Sequence, residues 1–222
     1  MGEQVQLRAS DGFTLGAYSA RPEGRPKAGV VVIQEIFGVN DHIRAVTDGY
    51  AAAGYAAIAP QIFDRVERNV ELGYGPDDMT RGVSIARGKL KLDATMLDLQ
   101  AAIDDVARYG KVGVVGYCFG GLLTWLTACD LTGVAAASAY YGGGIAAQLK
   151  RQPRCPVIMH FGERDAHIPM SDVEKVKAAQ PDVTVHVYAA DHGFNCDHRD
   201  SFDASAAELA RKRTLELFER TL

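Results

Sequence analysis

Residues 112–121 read Val112-Gly113-Val114-Val115-Gly116-Tyr117-Cys118-Phe119-Gly120-Gly121. The run Val112–Val115 is apolar or small throughout and predicts a buried strand; Phe119–Cys129 predicts the helix that follows. Between them stands a cysteine with glycine two positions before it and two after. This is the strand–turn–helix pattern G-x-nucleophile-x-G. The glycines have a steric purpose. A nucleophile at the apex of so sharp a turn holds a strained backbone, and side chains at the flanking positions would collide. Cys118 at a helix N-terminus also meets the positive end of the helix dipole, which favours a thiolate. The bland alternative, an inert cysteine in a glycine-rich turn, does not explain the paired glycines.

Working outward, strands and helices alternate. Gly29–Ile33 and Tyr55–Ala59 are short continuous apolar runs, as expected of strands buried on both faces. Val134–Tyr141, Val157–Phe161 and Val183–Tyr188 are further strands, the last with the strict alternation of a sheet edge. Helical spacing covers Asp41–Ala53, with Asp41 as N-cap, and Asp93–Arg108, where Leu97, Ala101, Asp104 and Arg108 mark the alternation of buried and solvated faces. It also covers Ser171–Gln180 and Ser201–Leu222; Ser171 with Glu174 reads as a capping box. Near the start, Val5–Arg8 and Phe13–Ser19 flank Asp11-Gly12, a hairpin signal. The alternation predicts an α/β fold, a mostly parallel sheet with helices on both faces, formed as one domain over residues 1–222. Ligands in such folds bind beyond the carboxyl ends of the strands, so the chemistry belongs in the loops there.

Composition narrows the class. The chain has 222 residues, 47% hydrophobic and 23% charged, which excludes a disordered or collagen-like chain and a small disulfide scaffold. A net charge of -4 speaks against a nucleic-acid partner. No segment approaches a membrane span, and Met1–Ser10 does not read as a signal peptide, so the expected compartment is the cytoplasm. The four cysteines, Cys118, Cys129, Cys155 and Cys196, match no common zinc spacing and are expected as free thiols.

A cysteine nucleophile needs a base and a group to orient that base. Of six histidines, His192 in Asp191-His192-Gly193-Phe194 follows the last strand, with His198 as runner-up. His160 and His186 lie within strands and read as structural; His42 begins a helix and reads as solvated. The strand Val157–Phe161 runs into Gly162-Glu163-Arg164-Asp165. A carboxylate there can hold the far nitrogen of His192, and Asp165, deeper in the turn, is favoured over Glu163. The order Cys118, Asp165, His192, each after its own strand, is more telling than any one of them. After Gly29–Ile33 comes Gln34-Glu35-Ile36-Phe37-Gly38. That loop and the residue after the nucleophile supply the oxyanion-hole amides, here the N–H groups of Ile36 and Phe119. Glu35 is either a charge at the foot of the site or an ordinary loop carboxylate.

These runs, with Gly54-Tyr55-Ala56-Ala57 and with Lys111 leading into the nucleophile turn, resemble the dienelactone hydrolase (carboxymethylenebutenolidase) family over nearly the whole chain. The resemblance implies a minimal α/β-hydrolase fold without a lid domain and a carboxylic ester hydrolase with no metal or organic cofactor. It implies a Cys–His–Asp triad that opens an enol lactone through an acyl-thioester. It also implies that Glu35 holds the resting thiol and takes its proton when substrate binds. Family members grip the substrate carboxylate with two arginines. Arg81 is the best match for one; Cys196 stands at the other, with Arg199 or Arg87 as possible replacements. Residues 76–92 contain no aromatic side chain. The expected substrate is a small ester or lactone, with weak activity on dienelactone itself. The alternatives are a hydrolase of small acyl thioesters and a non-catalytic ligand binder or thiol sensor on the same fold.

Overall fold

The strand Gly29–Ile33 is buried along its whole length, and so are Ala56–Pro60 and Val112–Tyr117. Strands this apolar must be covered on both faces, which places them at the centre of a sheet. The computed structural model, which describes residues 2–222, shows that sheet with eight strands. They are β1 (Glu3–Arg8), β2 (Thr14–Ala20), β3 (Gly29–Ile33), β4 (Ala56–Pro60), β5 (Val112–Tyr117), β6 (Val134–Tyr140), β7 (Val157–Gly162) and β8 (Thr184–Tyr188). Their spatial order is β1-β2-β4-β3-β5-β6-β7-β8. Only β2 runs against its neighbours; from β4 through β8 every pairing is parallel. This is the α/β-hydrolase fold. The carboxyl ends of β3, β5, β7 and β8 therefore open on the same edge of the sheet.

The helices are α1 (Asp41–Ala52), α2 (Pro76–Val83), α3 (Leu92–Val106), α4 (Phe119–Asp130), α5 (Met170–Ala179) and α6 (Ala204–Thr221). In α3 the buried stripe is Thr95, Asp98, Leu99, Ala102, Ile103 and Val106, a run of three- and four-residue steps. The residues read as its face markers lie beside that stripe: Leu97 and Ala101 are half-buried and Asp104 and Arg108 exposed. Asp98 is buried because Arg65 meets it with two hydrogen bonds of 2.8 Å.

Two caps differ from the expectation. The N-cap of α1 is Asn40, whose Oδ1 accepts from the Ile43 N–H at 3.2 Å; Asp41 is already inside the first turn. The Ser171–Glu174 capping box does not form. Pro169 enters with φ −64° and ψ 146°, and its carbonyl accepts from Asp172 and Val173, so the helix starts one residue earlier. The last helix begins at Ala204, where Asp203 Oδ1 caps the Ala206 N–H at 2.9 Å. His42, expected in solvent, is 3% exposed with Nδ1 on Asp197. The helix α2 was not foreseen, although Pro76 at its first turn followed by Asp77 and Asp78 is a start signal. It continues into a wider π-turn over Ser84–Lys89.

Candidate active site

Between β5 and α4 the chain turns on Cys118, which has φ 53° and ψ −112°. An L-residue rarely takes that conformation, and the surroundings enforce it. A Cβ on Gly116 would lie 2.2 Å from the carbonyl oxygen of Gly120, and a Cβ on Gly120 2.3 Å from that of Ile33. Both glycines are thus required by the close approach of β3, β5 and the first turn of α4.

The turn presents the Cys118 Sγ to His192, whose Nε2 lies 3.2 Å away. On the other side of the ring, Nδ1 lies 2.7 Å from Asp165 Oδ2. Asp165 follows β7 and His192 follows β8, so three loops at one sheet edge supply one hydrogen-bonded series. His198, the runner-up, is exposed near Asp197. Burial works against a charged His192 ring, but the bonds to Asp165 and Cys118 outweigh it and push its pKa up to about 10. Tyr141 and His167 stand edge-on to the ring with centroids 5.1 and 5.0 Å away. They fix its plane by packing.

Cys118 and His192 sit at the floor of a cleft of about 730 Å³. Ile36 and Phe119, the two residues expected to supply oxyanion amides, both line it. So do Arg87 and Arg199. Arg81 does not: it is exposed and ion-paired with Glu67, turned away from the cleft. The reason is helical phase. Met79, Val83 and Arg87 recur every four residues and face the cleft, while Arg81 falls on the opposite side of α2. Arg199 lies across Gly193, where φ is 79° and a Cβ would come within 2.4 Å of the guanidinium. Its guanidinium also lies 6.0 Å from the ring centre of Phe37 and 5.9 Å from that of Tyr74.

Glu35 is 1% exposed, and neither of its carboxylate oxygens has a hydrogen-bond partner. In this structure the Cys118 thiol lies against His192, and Glu35 makes no hydrogen bond to it. Cys196, which stands where the resemblance places a second substrate arginine, is fully buried beside Glu35.

The family model for the dienelactone hydrolase family matches residues 15–222. The chain belongs to that family.

With it the chain is a carboxylic ester hydrolase. It is 34% identical to a carboxymethylenebutenolidase of Pseudomonas putida, over 96% of this chain and 94% of that one. It is 36% identical to a candidate carboxymethylenebutenolidase of Synechocystis sp., over 87% of this chain and 86% of that one. The crystal structure of a candidate dienelactone hydrolase from Klebsiella pneumoniae superposes with a TM-score of 0.85, at 31% identity over 99% of each chain. Among the described residues of this dienelactone hydrolase family member, no helix is long and apolar enough to cross a membrane.

The cleft residues that sequence reasoning passed over include Met79, Val83 and His167. The four-residue period from Pro76 onward was the available signal for the first two. His167 had a local one: it stands two residues after Asp165, and its backbone N–H donates to Asp165 Oδ1 at 2.8 Å.

Proposed function

We propose that this hydrolase opens a small ester or lactone through an acyl-thioester on Cys118, the chain 1–222 working as one domain. The observation that carries the reading is the series Cys118 Sγ–His192–Asp165 at the floor of the cleft. His192 Nε2 takes the thiol proton, and the thiolate attacks the substrate carbonyl carbon. The carbonyl electron pair moves to oxygen, where the N–H groups of Ile36 and Phe119 stabilise it. On collapse the C–O bond breaks and the leaving oxygen takes the proton from His192; in a lactone that oxygen stays on the same molecule. A water then gives a proton to Nε2 and attacks the thioester carbon. The C–S bond breaks, and the sulfur takes the proton back. Asp165 holds the ring in one tautomer. The Asp165 and Cys118 contacts that raise the His192 pKa support the thiolate–imidazolium form of the pair, so the ring holds the proton it has taken from the thiol until the leaving group needs it.

The lining supports an acidic substrate with an apolar body. Phe37, Phe119, Leu122, Met79 and Val83 supply apolar surface, and Arg87 and Arg199 supply two cations suited to a carboxylate. The experiment is turnover of a panel of lactones, aryl esters and acyl thioesters by wild type, Cys118→Ala and Cys118→Ser, with mass spectrometry of the quenched enzyme. The expected result is loss of turnover in Cys118→Ala, much weaker turnover in Cys118→Ser, and an acyl adduct on the wild-type Cys118 peptide. Undiminished hydrolysis by Cys118→Ala overturns the reading.

A further inference from the structure

Behind the cleft floor, Glu35, His42 and Cys196 bring donor atoms of three kinds within 4.8 Å of one another: a carboxylate oxygen, an imidazole nitrogen and a sulfur. Their exposures are 1%, 3% and 0%. Both Glu35 oxygens and His42 Nε2 are buried without a hydrogen-bond partner. Such groups are costly to leave unmatched, and native folds rarely do so. Arg199 does not resolve the mismatch, because its Nη1 stands 4.0 Å from Glu35 Oε1, too far for a hydrogen bond.

The surroundings are ordered as a ligand set is. His42 Nδ1 lies 3.1 Å from Asp197 Oδ1. That contact assigns the ring N–H to Nδ1 and leaves the Nε2 lone pair free, the carboxylate–histidine arrangement typical of metal-bound imidazole. The Tyr74 hydroxyl accepts from Asn40 Nδ2 at 3.1 Å. His42 and Asp197 also line a separate depression of about 230 Å³ with Asn195 and Phe202.

We propose that Glu35, His42 and Cys196 form a buried binding site for one divalent cation of the zinc class. A mixed N, S and O set selects zinc or cobalt over magnesium or calcium, which take oxygen ligands. Zinc bonds of about 2.0–2.3 Å set neighbouring donors roughly 3–4 Å apart, so small side-chain movements close the set. Binding releases the Cys196 thiol proton to solvent, and an occupied site stabilises the fold by mass action. The inference is separate from the thioester reading, since Cys118 and His192 take no part in it.

The test is titration of the purified, metal-stripped protein with Co²⁺, followed by absorbance, and with Zn²⁺, followed by thermal unfolding. Wild type and Cys118→Ser are expected to develop a thiolate-to-cobalt charge-transfer band with one equivalent of Co²⁺, bleached by Zn²⁺, and to gain several degrees of Tm with Zn²⁺. Cys196→Ser is expected to lose the band, and His42→Gln to weaken Co²⁺ binding at least tenfold; His42→Gln decides alone should Cys196→Ser not fold. No band in wild type at excess Co²⁺, a band unaffected by His42→Gln or a band that disappears with Cys118→Ser overturns the proposal.

Discussion

Asp165 holds His192 and its own turn with one carboxylate. Oδ2 faces His192 Nδ1 at 2.7 Å, while Oδ1 accepts from the backbone N–H groups of His167 at 2.8 Å and Ile168 at 3.1 Å. The acid is therefore immobile before the base is placed against it, and the base is immobile before it meets the thiol.

Asp165→Asn tests that dependence through pH. His192 titrates upward, at about 10, with the Asp165 bond as the largest of the influences that raise it. The protonated ring serves as acid toward the leaving group, so kcat/KM should fall as pH rises through about 10. Without the carboxylate the falling limb should move to lower pH, with a loss of roughly 10²- to 10⁴-fold at neutral pH. The measurement is kcat/KM from pH 6 to 10.5 for an aryl ester, corrected for spontaneous hydrolysis. An unmoved limb would remove His192 as the titrating acid.

Thiol labelling should be selective. Burial pushes Cys129 up to about 12 and Cys155 and Cys196 up to about 11, so these three are thiols at pH 8. Cys118 alone opens on the cleft, beside a base. One fast equivalent of iodoacetamide is expected, on the Cys118 peptide, and loss of activity should track it. Fast labelling at another cysteine contradicts this.

Substrate charge should be read by Arg199 and Arg87. Removing either guanidinium is expected to cost about 1.5–3 kcal/mol of transition-state binding for a carboxylate-bearing ester, or roughly 10- to 100-fold in kcat/KM. A neutral ester should be affected much less. Arg81→Ala should change neither, because Arg81 pairs with Glu67 outside the cleft. Equal losses on charged and neutral substrates in Arg199→Ala would assign that arginine to packing against Phe37 and Tyr74.

His160 should shape acid stability. It is fully buried between Tyr188 and Ser138, and burial, followed by the charges of His186 and Arg213, holds its pKa well below 6.5. Its folded form stays neutral while the unfolded chain takes up a proton. The contribution is thus present above pH 6.5 and lost as pH falls below it, at up to about 1.4 kcal/mol per pH unit. Urea unfolding at several pH values between 8 and 5 should show a shallower acid slope for His160→Gln than for wild type. Identical slopes would mean that other groups carry the acid sensitivity.

Much of this arrangement is legible from residue pattern because local chemistry dictates it. Gly116 and Gly120 announce a turn that excludes side chains, and the buried runs Gly29–Ile33 and Val112–Val115 announce central strands. The loops after β7 and β8 then present Asp165 and His192 without further information. What escaped the pattern depends on tertiary contact. Whether Arg81 or Arg87 faces the cleft is a matter of the phase of α2 and of the π-turn after it. The burial of His42 and Cys196 arises from packing between segments more than 150 residues apart. Ser171 failed as a cap because Pro169 set the chain direction first.

The backbone of Cys118 has a consequence for how this position can vary. At φ 53° and ψ −112° any side chain is strained, by about 1–3 kcal/mol, and only glycine is at ease. Alanine ordinarily stabilises a chain relative to glycine, by restricting the unfolded state. Here the order should invert, with Cys118→Gly melting above Cys118→Ala although both lack the thiol. Selection for folding and selection for chemistry then pull this one codon in opposite directions, and a lineage released from catalysis would be expected to drift toward glycine there.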